Sequence, residues 1–212
     1  MRPKLVTFTM AALDRNGISV AQTMGAAGNL TITGVLATGG VATLDVPRRV
    51  GIYAAGDESG KTFTVYGTSR NGSTISEAIT GPNATTVNGT KNYKTVTRVA
   101  VDAATAGDVE VGTCALADTQ VIPVSCYDSV ISYDVHLSSG ASLKYEFKYT
   151  LDDILGNRSF DESTAKWYSD LGIKSTDSAS ASDAPIRGCR LEITDWSSAS
   201  DTVYWNILTA RR

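Results

Sequence analysis

The sequence predicts an all-β protein: an antiparallel β-sandwich of immunoglobulin-like or jelly-roll-like type, in two modules, with little helix. Three observations favour this class. Apolar and polar residues alternate with a period of two over many short segments, which is the pattern of strands with one buried face. Turn-forming residues recur about every 8 to 12 residues, and helical periodicity is nearly absent.

The clearest alternation lies in residues 130–151, VISYDVHLSSGASLKYEFKYTL. The loop between its two arms, residues 138–142, is short and contains Gly140, so the sequence predicts an antiparallel hairpin. An aromatic face of this kind needs a second layer to cover it. The apolar positions are Ile131, Tyr133, Val135 and Leu137 on the first arm and Leu143, Tyr145, Phe147, Tyr149 and Leu151 on the second.

Two C-terminal segments, RGCRLEIT and TVYWNIL, show the same alternation and predict the covering layer. Their apolar positions are Cys189, Leu191 and Ile193, followed by Val203, Trp205 and Ile207. Between these strands and the hairpin, the small polar stretch at residues 174–185, KSTDSASASDAP, predicts a solvent-exposed loop.

Residues 1–29 have low regularity and predict an N-terminal arm or a peripheral strand. From Leu30 onward the strand pattern is sharper. Pro47 should end one strand, and residues 48–55 should form the next. Asn71-Gly72 lies between KTFTVYGT and TISEAIT and supplies the positive φ angles of a tight hairpin turn. We therefore expect an N-terminal β-sandwich domain at residues 30–112 and a C-terminal one at residues 113–212.

Composition excludes several classes of protein. Hydrophobic residues make up 42% and charged residues 19% of the chain, which indicates a folded protein and not a disordered one. A net charge of −3 argues against an electrostatic nucleic-acid binder, and no apolar run reaches the length of a membrane span. The three cysteines, Cys114, Cys126 and Cys189, lack metal-ligand spacing and predict reduced thiols made in a cytoplasm.

The single histidine, His136, follows Asp134 by two residues on the polar face of one strand. Such a pair could act as a general base with an orienting carboxylate. No activated nucleophile can be placed near it, so two solvated side chains are the favoured interpretation. Asp152 and Asp153, with Asp161 and Glu162 beyond them, lack the spacing of a calcium loop and indicate turns.

The segment GDESGKT, residues 56–62, resembles part of a phosphate-binding loop. Its glycines are one residue too close, and the residues that follow predict a strand where such a loop needs a helix N-terminus. Cys189 is predicted to be a buried core residue. The stripe Tyr145, Phe147 and Tyr149 is predicted to be core and not a stacking surface for sugars. The sequence therefore predicts no catalytic, cofactor-binding or metal-ligating residue and no cofactor.

Two segments resemble β-rich structural proteins encoded by tailed bacteriophages. The first, from Gly28 to Val101, includes GGVATLDVPRRVGIYAA, the Asn-Gly hairpin, the Gly81-Pro82-Asn83 turn and a Thr-rich strand. The second includes YEFKYTLDD, Trp167, APIRGCRLEIT and a last strand before Arg211. The resemblance covers most of the chain beyond residue 25.

The resemblance implies a virion component and not an enzyme, assembled in the bacterial host cytoplasm with capsid or tail subunits and with copies of itself. It carries over no functional residues. A head accessory or decoration subunit is favoured over a tail or connector subunit, because the chain is small and has no coiled-coil or shaft repeat. On this interpretation residues 1–29 could be an arm that orders against a neighbouring subunit.

Two alternatives stay open at this point. A tail-fibre or adhesin module could bind host-surface glycans through aromatic residues and Ser/Thr/Asn-rich loops. A polysaccharide hydrolase would need two carboxylates at a defined separation across a groove, and Asp134, Glu146 and Asp153 are the candidates for it.

Overall fold

The computed structural model describes residues 4–124, 130–154, 165–182, 186–196 and 201–210. These residues form antiparallel strands joined by turns and loops and contain no helix, which confirms the all-β prediction. The strands are β1 (Lys4–Met10), β2 (Ser19–Gln22), β3 (Gly28–Leu30), β4 (Ala37–Thr38), β5 (Val41–Ala54), β6 (Thr62–Thr68), β7 (Thr74–Thr80), β8 (Thr86–Asn88), β9 (Tyr93–Val101), β10 (Val109–Asp118), β11 (Ile122–Pro123), β12 (Val130–Leu137), β13 (Lys144–Thr150), β14 (Tyr168–Ser169), β15 (Ser178–Ser182), β16 (Gly188–Asp195) and β17 (Asp201–Ala210).

The chain divides into two compact units. We call residues 13–117 the central unit, and residues 1–12 together with 118–212 the terminal unit. The sequence-based division treated residues 1–29 as one arm, whereas the structure shares them between the units. The reason is strand pairing: β1 pairs with β17 along its whole length, and β2 pairs with β10. Residues 4–10 thus order against the last strand of their own chain.

The terminal unit is a sandwich of two antiparallel sheets. Sheet A has the order β1-β17-β12-β15, and sheet B pairs β14, β13, β16 and β11 in that order. Their inner faces meet through aromatic rings: Tyr133 stacks on Phe147 with centroids 3.8 Å apart. Phe147 also contacts the Trp205 ring edge-on at 6.1 Å. The apolar positions predicted from alternation are buried, except for Leu137, Tyr149 and Leu151.

The predicted hairpin at residues 130–151 is wrong. Its arms are β12 and β13, which lie in different sheets, so the loop at residues 138–142 crosses the sandwich and does not close a ladder. β12 pairs with β15 and β17, and β13 pairs with β14 and β16. The two arms therefore lie in opposite layers of the sandwich. Trp205 lies on β17 next to β12 in sheet A, and Leu191 lies on β16 next to β13 in sheet B.

The exposed loop predicted at residues 174–185 is also partly wrong. Ser178–Ser182 form β15, the edge strand of sheet A, paired to β12 from Val135 to Ile131. A run of Ser and Ala shows no alternation of apolar and polar residues, so the sequence pattern does not indicate a strand. The backbone of this run nevertheless forms the ladder hydrogen bonds that β12 offers. An edge strand tolerates such a sequence because one of its sides faces solvent.

The central unit encloses one apolar core, to which β5 contributes from both of its ends. The first part of β5 pairs with β4 and β9, and the second part pairs with β8 and β10. Pro47 does not end the strand, contrary to the prediction from sequence. It lies where the pairing with β9 loses its register, between Thr43 and Arg48, so its missing N–H leaves no ladder bond unmade.

The hairpin predicted at Asn71-Gly72 is present as β6 and β7, paired from Thr62 with Thr80 to Thr68 with Thr74. Only Gly72 has a positive φ, of 80°. The Ser69 N–H donates to the Ser73 carbonyl at 2.9 Å, and the Gly72 N–H donates to the Ser69 carbonyl at 3.1 Å. The turn therefore needs one left-handed residue, where the sequence suggested two.

Trp205 and Tyr204 are neighbours on β17 that face opposite sides of sheet A. Trp205 is fully buried, while Tyr204 is 43% exposed. Trp205→Ala should lower the free energy of unfolding by about 3–5 kcal/mol, because it removes a core aromatic side chain. Tyr204→Ala, the matched control, should change it by about 0.5 kcal/mol or less. Urea denaturation followed by far-UV circular dichroism measures both, and equal losses would contradict the assignment of the inner face.

Gly67 on β6 leaves no room for a side chain. A Cβ at this position would lie 1.9 Å from the Thr95 carbonyl oxygen on β9, at a break in the register between the two strands. Gly67→Ala should therefore destabilise the protein by about 1–3 kcal/mol, as overpacking does. Gly60→Ala is the control, because a Cβ there meets nothing within 4 Å. Thermal melts of the two variants should separate clearly, and a wild-type melting temperature for Gly67→Ala would refute the close approach.

Candidate functional site

The solvent-facing side of sheet A gathers the polar groups that the sequence singled out. We call this surface the outer face and define it by Ser132, Asp134 and His136 on β12, Tyr204, Asn206 and Leu208 on β17, and Ala179 and Ala181 on β15. Strand alternation places these residues opposite the buried aromatic side. The register sets Asp134 level with Asn206 and His136 level with Tyr204. Ala179 lies beside Asp134 on the other edge.

His136 lies between two carboxylates. Its Nε2 is 2.7 Å from Asp134 Oδ2, and its Nδ1 is 3.0 Å from Asp177 Oδ2. The sequence placed Asp134 beside His136 but favoured two solvated side chains over a contact between them, and it gave no sign of Asp177. That residue precedes β15 directly, and the predicted exposed loop at residues 174–185 gave no register that could place it. Asp177 Oδ1 also accepts a hydrogen bond from the Leu137 N–H at 2.8 Å, which ties this segment to the end of β12.

The electrostatics of this cluster stabilise a charged pair. The hydrogen bond with Asp177 raises the pKa of His136 above its ordinary value, and the Asp134 charge adds to the effect. The Leu137 N–H and the His136 ring hold the pKa of Asp177 below its ordinary value. When protonated, the imidazole donates from both nitrogens, one to each carboxylate. Among the described residues no cluster of His, Cys, Asp and Glu could hold a metal.

Beside the cluster, the outer face has a shallow depression of about 510 Å³. Its outward-facing lining forms two rows across the strands: Ser132 with Leu208, and Ala179 with Asp134 and Asn206. The side chains of Ser132 and Ala179 are short, so they leave open space between the larger ones. The Asn206 Nδ2 donates to Asp134 Oδ2 at 3.1 Å, so the amide and the carboxylate are held in a fixed arrangement.

The segment GDESGKT links two loops of the central unit through the side chain of Glu58. Glu58 is fully buried, forms an ion pair with Lys61, and accepts hydrogen bonds from the Ala106 and Gly107 N–H groups at 2.8 and 3.2 Å. These bonds tie the loop before β6 to the loop before β10. The residues that follow form the strand β6, as predicted, and not the helix that a phosphate loop needs.

The three carboxylates considered for a hydrolase are not brought together. Asp134 lies on the outer face of sheet A, whereas Glu146 lies on β13 in sheet B and forms an ion pair with Lys148 at 2.6 Å. Asp153 follows the end of β13. Asp152 accepts a hydrogen bond from the Lys166 N–H at 2.8 Å, a contact between residues 14 positions apart. Asp161 and Glu162 lie outside the described residues.

The described cysteines are buried thiols without a disulfide, Cys114 in the central unit and Cys189 in the terminal unit. Burial raises the pKa of Cys189 to about 12, so it is a core residue and not a reactive thiolate. Cys126 lies outside the described residues. Of the aromatic stripe, Tyr145 and Phe147 are buried, and the half-buried Tyr149 stacks on Tyr168 with centroids 5.5 Å apart. Within the described part of the chain, no helix has the length and apolar character needed to cross a membrane.

Arg48 is a buried charged residue that sequence reasoning missed. It is 1% exposed, and its Nη2 donates to the Cys114 carbonyl at 3.1 Å. The pairing of β5 with β10 shifts register between Thr113 and Ala117, so this irregular stretch of β10 needs a partner from a side chain. Asp45 lies 3.2 Å from Arg48 Nη1 and balances the charge.

Comparison with known proteins gives little. No family model matches the chain, and no curated protein matches it. A crystal structure titled as the PBSX exported protein XepA can be aligned over 98% of this chain and 86% of that chain, with 11% identity and a TM-score of 0.23. At this TM-score the similarity establishes neither a shared fold nor a shared function.

The single histidine makes the cluster measurable by an NMR titration. Since the pKa of His136 is raised from an ordinary 6.5, its contribution to stability is present below pH 6.5 and is lost as pH rises through the native pKa. The pKa of Asp177 is lowered from an ordinary 3.8, so its contribution is lost as pH falls through its native value. The stability difference between wild type and Asp177→Asn should therefore be largest between these two ordinary values.

In an NMR titration of the His136 ring signals, Asp177→Asn should lower the native pKa of His136. Asp195→Asn is the control, since Asp195 lies in sheet B and pairs with Lys144 at 2.8 Å. Removing that carboxylate changes the net charge equally but leaves the His136 hydrogen bonds in place. An unchanged His136 titration in Asp177→Asn would contradict the bridge.

Proposed function

We propose that this protein is a non-enzymatic structural component of a tailed-bacteriophage virion, a head accessory or decoration subunit present in multiple copies. The resemblance of residues 28–101 and of the C-terminal strands to phage structural proteins supports this proposal. The observation that carries it is the structural role of three charged or titratable side chains. Glu58, Arg48 and His136 each tie separate backbone segments together, as expected of a scaffold.

The sheet edges support assembly into a larger particle. β1 and β15 are the two edges of sheet A, and each has one hydrogen-bonding side that no described strand of the chain occupies. Exposed edges can accept a strand from another chain. Many weak contacts of this kind become strong when subunits repeat on a lattice, because binding is then multivalent. Capsid subunits and further copies of this chain are the partners we propose.

Within the virion, the head is our preferred location over the tail, the connector or a fibre. The chain has 212 residues and folds as two compact β-units, and its described part contains no shaft or coiled coil. A small chain without a shaft suits a subunit placed on an existing surface. A tail, connector or tail-fibre subunit is the alternative that the experiment below separates.

Immunogold electron microscopy of purified particles of the encoding phage, with antibody raised against the isolated protein, tests the proposal. Gold spread over the head is the expected result and indicates a decoration subunit. Gold at one vertex or along an appendage would move the protein to the connector, tail or fibre. An antibody against the major capsid protein is the positive control. Intact particles that this control labels and the test antibody does not would refute an exposed virion subunit.

A further inference from the structure

We propose that the depression on the outer face of sheet A binds a neutral oligosaccharide. This site is a property of the isolated chain, and the inference does not rest on the proposed virion role. The depression, at about 510 Å³, lies within the range of small-ligand sites. Its lining also has the composition of such sites, mostly apolar with a few fixed polar groups.

The apolar part of the lining suits the C–H face of a pyranose ring. Leu208, Ala179 and Ser132 line the depression, and the short side chains of Ala179 and Ser132 leave space for a ring. Ala179 is exposed and its strand is an edge, so a ring can enter from the solvent side without moving the sheet. A shallow site of this kind buries little area, so the expected Kd is on the order of 1 mM.

The polar end of the depression suits hydroxyl groups. The Asn206 amide donates to Asp134 Oδ2, and the same oxygen faces His136. Asp134 Oδ1 and the Asn206 amide oxygen accept no hydrogen bond from a described residue. Asp134 and Asn206 are level on neighbouring strands, so each of these acceptors can take a hydrogen from a hydroxyl of a bound sugar. Hydrogen bonds to the charged carboxylate are the stronger of the two.

Charge selects against acidic sugars. Asp134 and Asp177 both lie on this surface, 34% and 59% exposed, and the net charge of the whole chain is −3. His136 is already engaged by both carboxylates. A uronic or sialic acid would bring a further negative charge beside Asp134, which costs free energy. The ligand class is therefore neutral.

The position of Tyr204 indicates more than one sugar ring. Tyr204 is two residues before Asn206 on β17, which separates them by about 6.6–6.8 Å along the strand. Its ring is 43% exposed and lies beyond the Asp134 and Asn206 row, on the side away from Leu208. A ring in the depression would leave its neighbour in the oligosaccharide above this aromatic face, an arrangement in which Tyr offers a large apolar contact.

The test is a ¹⁵N-HSQC titration of the full chain with maltotriose, cellotriose and N-acetylated chitotriose, each raised to about ten times the expected Kd. Trigalacturonic acid is the charged probe. The expected result is that at least one neutral trisaccharide shifts the Asn206 side-chain amide and the Ser132 and Ala179 backbone amides. The acidic probe should leave these signals in place.

Two variants and a matched control make the test specific. Asn206→Ala should weaken binding about tenfold, and Ala179→Leu should abolish it by filling the depression at an exposed position. Asn71→Ala removes the same amide from an exposed turn of the central unit and should bind like wild type. The spectrum of each variant without sugar reports its fold.

The proposal is overturned if none of the neutral trisaccharides shifts these signals, if trigalacturonic acid shifts them equally, or if folded Ala179→Leu still binds. The immunogold result and the titration are independent, so a failure of one leaves the other standing. Shifts confined to other surfaces would also overturn the site, since they would place the sugar elsewhere on the chain.

Discussion

The stacking of Tyr133 on Phe147 is the contact on which the terminal unit depends. The two rings are nearly parallel, with centroids 3.8 Å apart, and they join sheet A to sheet B at the centre of the core. Everything about the outer face follows from this inward packing. Because Tyr133 points into the sandwich, its neighbours Ser132 and Asp134 must point out, and the same parity sends Asn206 outward beside the buried Trp205.

In the central unit, the long strand β5 pairs with different strands at its two ends. β5 changes partners near Pro47, and the change leaves ladder positions without regular pairing. Arg48 repairs part of this by donating to the Cys114 carbonyl. A buried guanidinium is expensive to desolvate, and here it is tolerated because Asp45 and a backbone acceptor surround it. The buried Glu58 carboxylate is stabilised in the same way, by an ion pair with Lys61 and by hydrogen bonds from two backbone N–H groups.

Alternation reveals which face of a strand is buried but not which strand lies beside it. The fold class and nearly all inward positions from Ile131 to Ile207 could be predicted, because burial leaves a period of two in the sequence. The partner of β12 could not, since a five-residue loop can close a hairpin or cross a sandwich with the same residues. Asp177 and Arg48 were missed for a related reason: each acts through a register that depends on distant strands. The proximity of Asp134 and His136 could be read from the sequence because both residues share one strand, although two solvated side chains were the favoured interpretation.

The order of strands along the chain constrains how the protein can fold. The strand pairings of β5 with β4, β8 and β9, and of β6 with β7 and β9, lie within residues 13–117, so they can form as soon as that stretch exists. Sheet A instead needs β17, the last strand, between β1 and β12, and the β1–β17 pairing joins residues near the two ends of the chain. Contacts of such long sequence separation carry a large loop-closure cost and form slowly. A central unit that is already compact shortens the effective loop between β1 and β17 and lowers that cost. The placement of residues 13–117 in the sequence between the two segments of the terminal unit thus aids the formation of the sheet that carries the outer face.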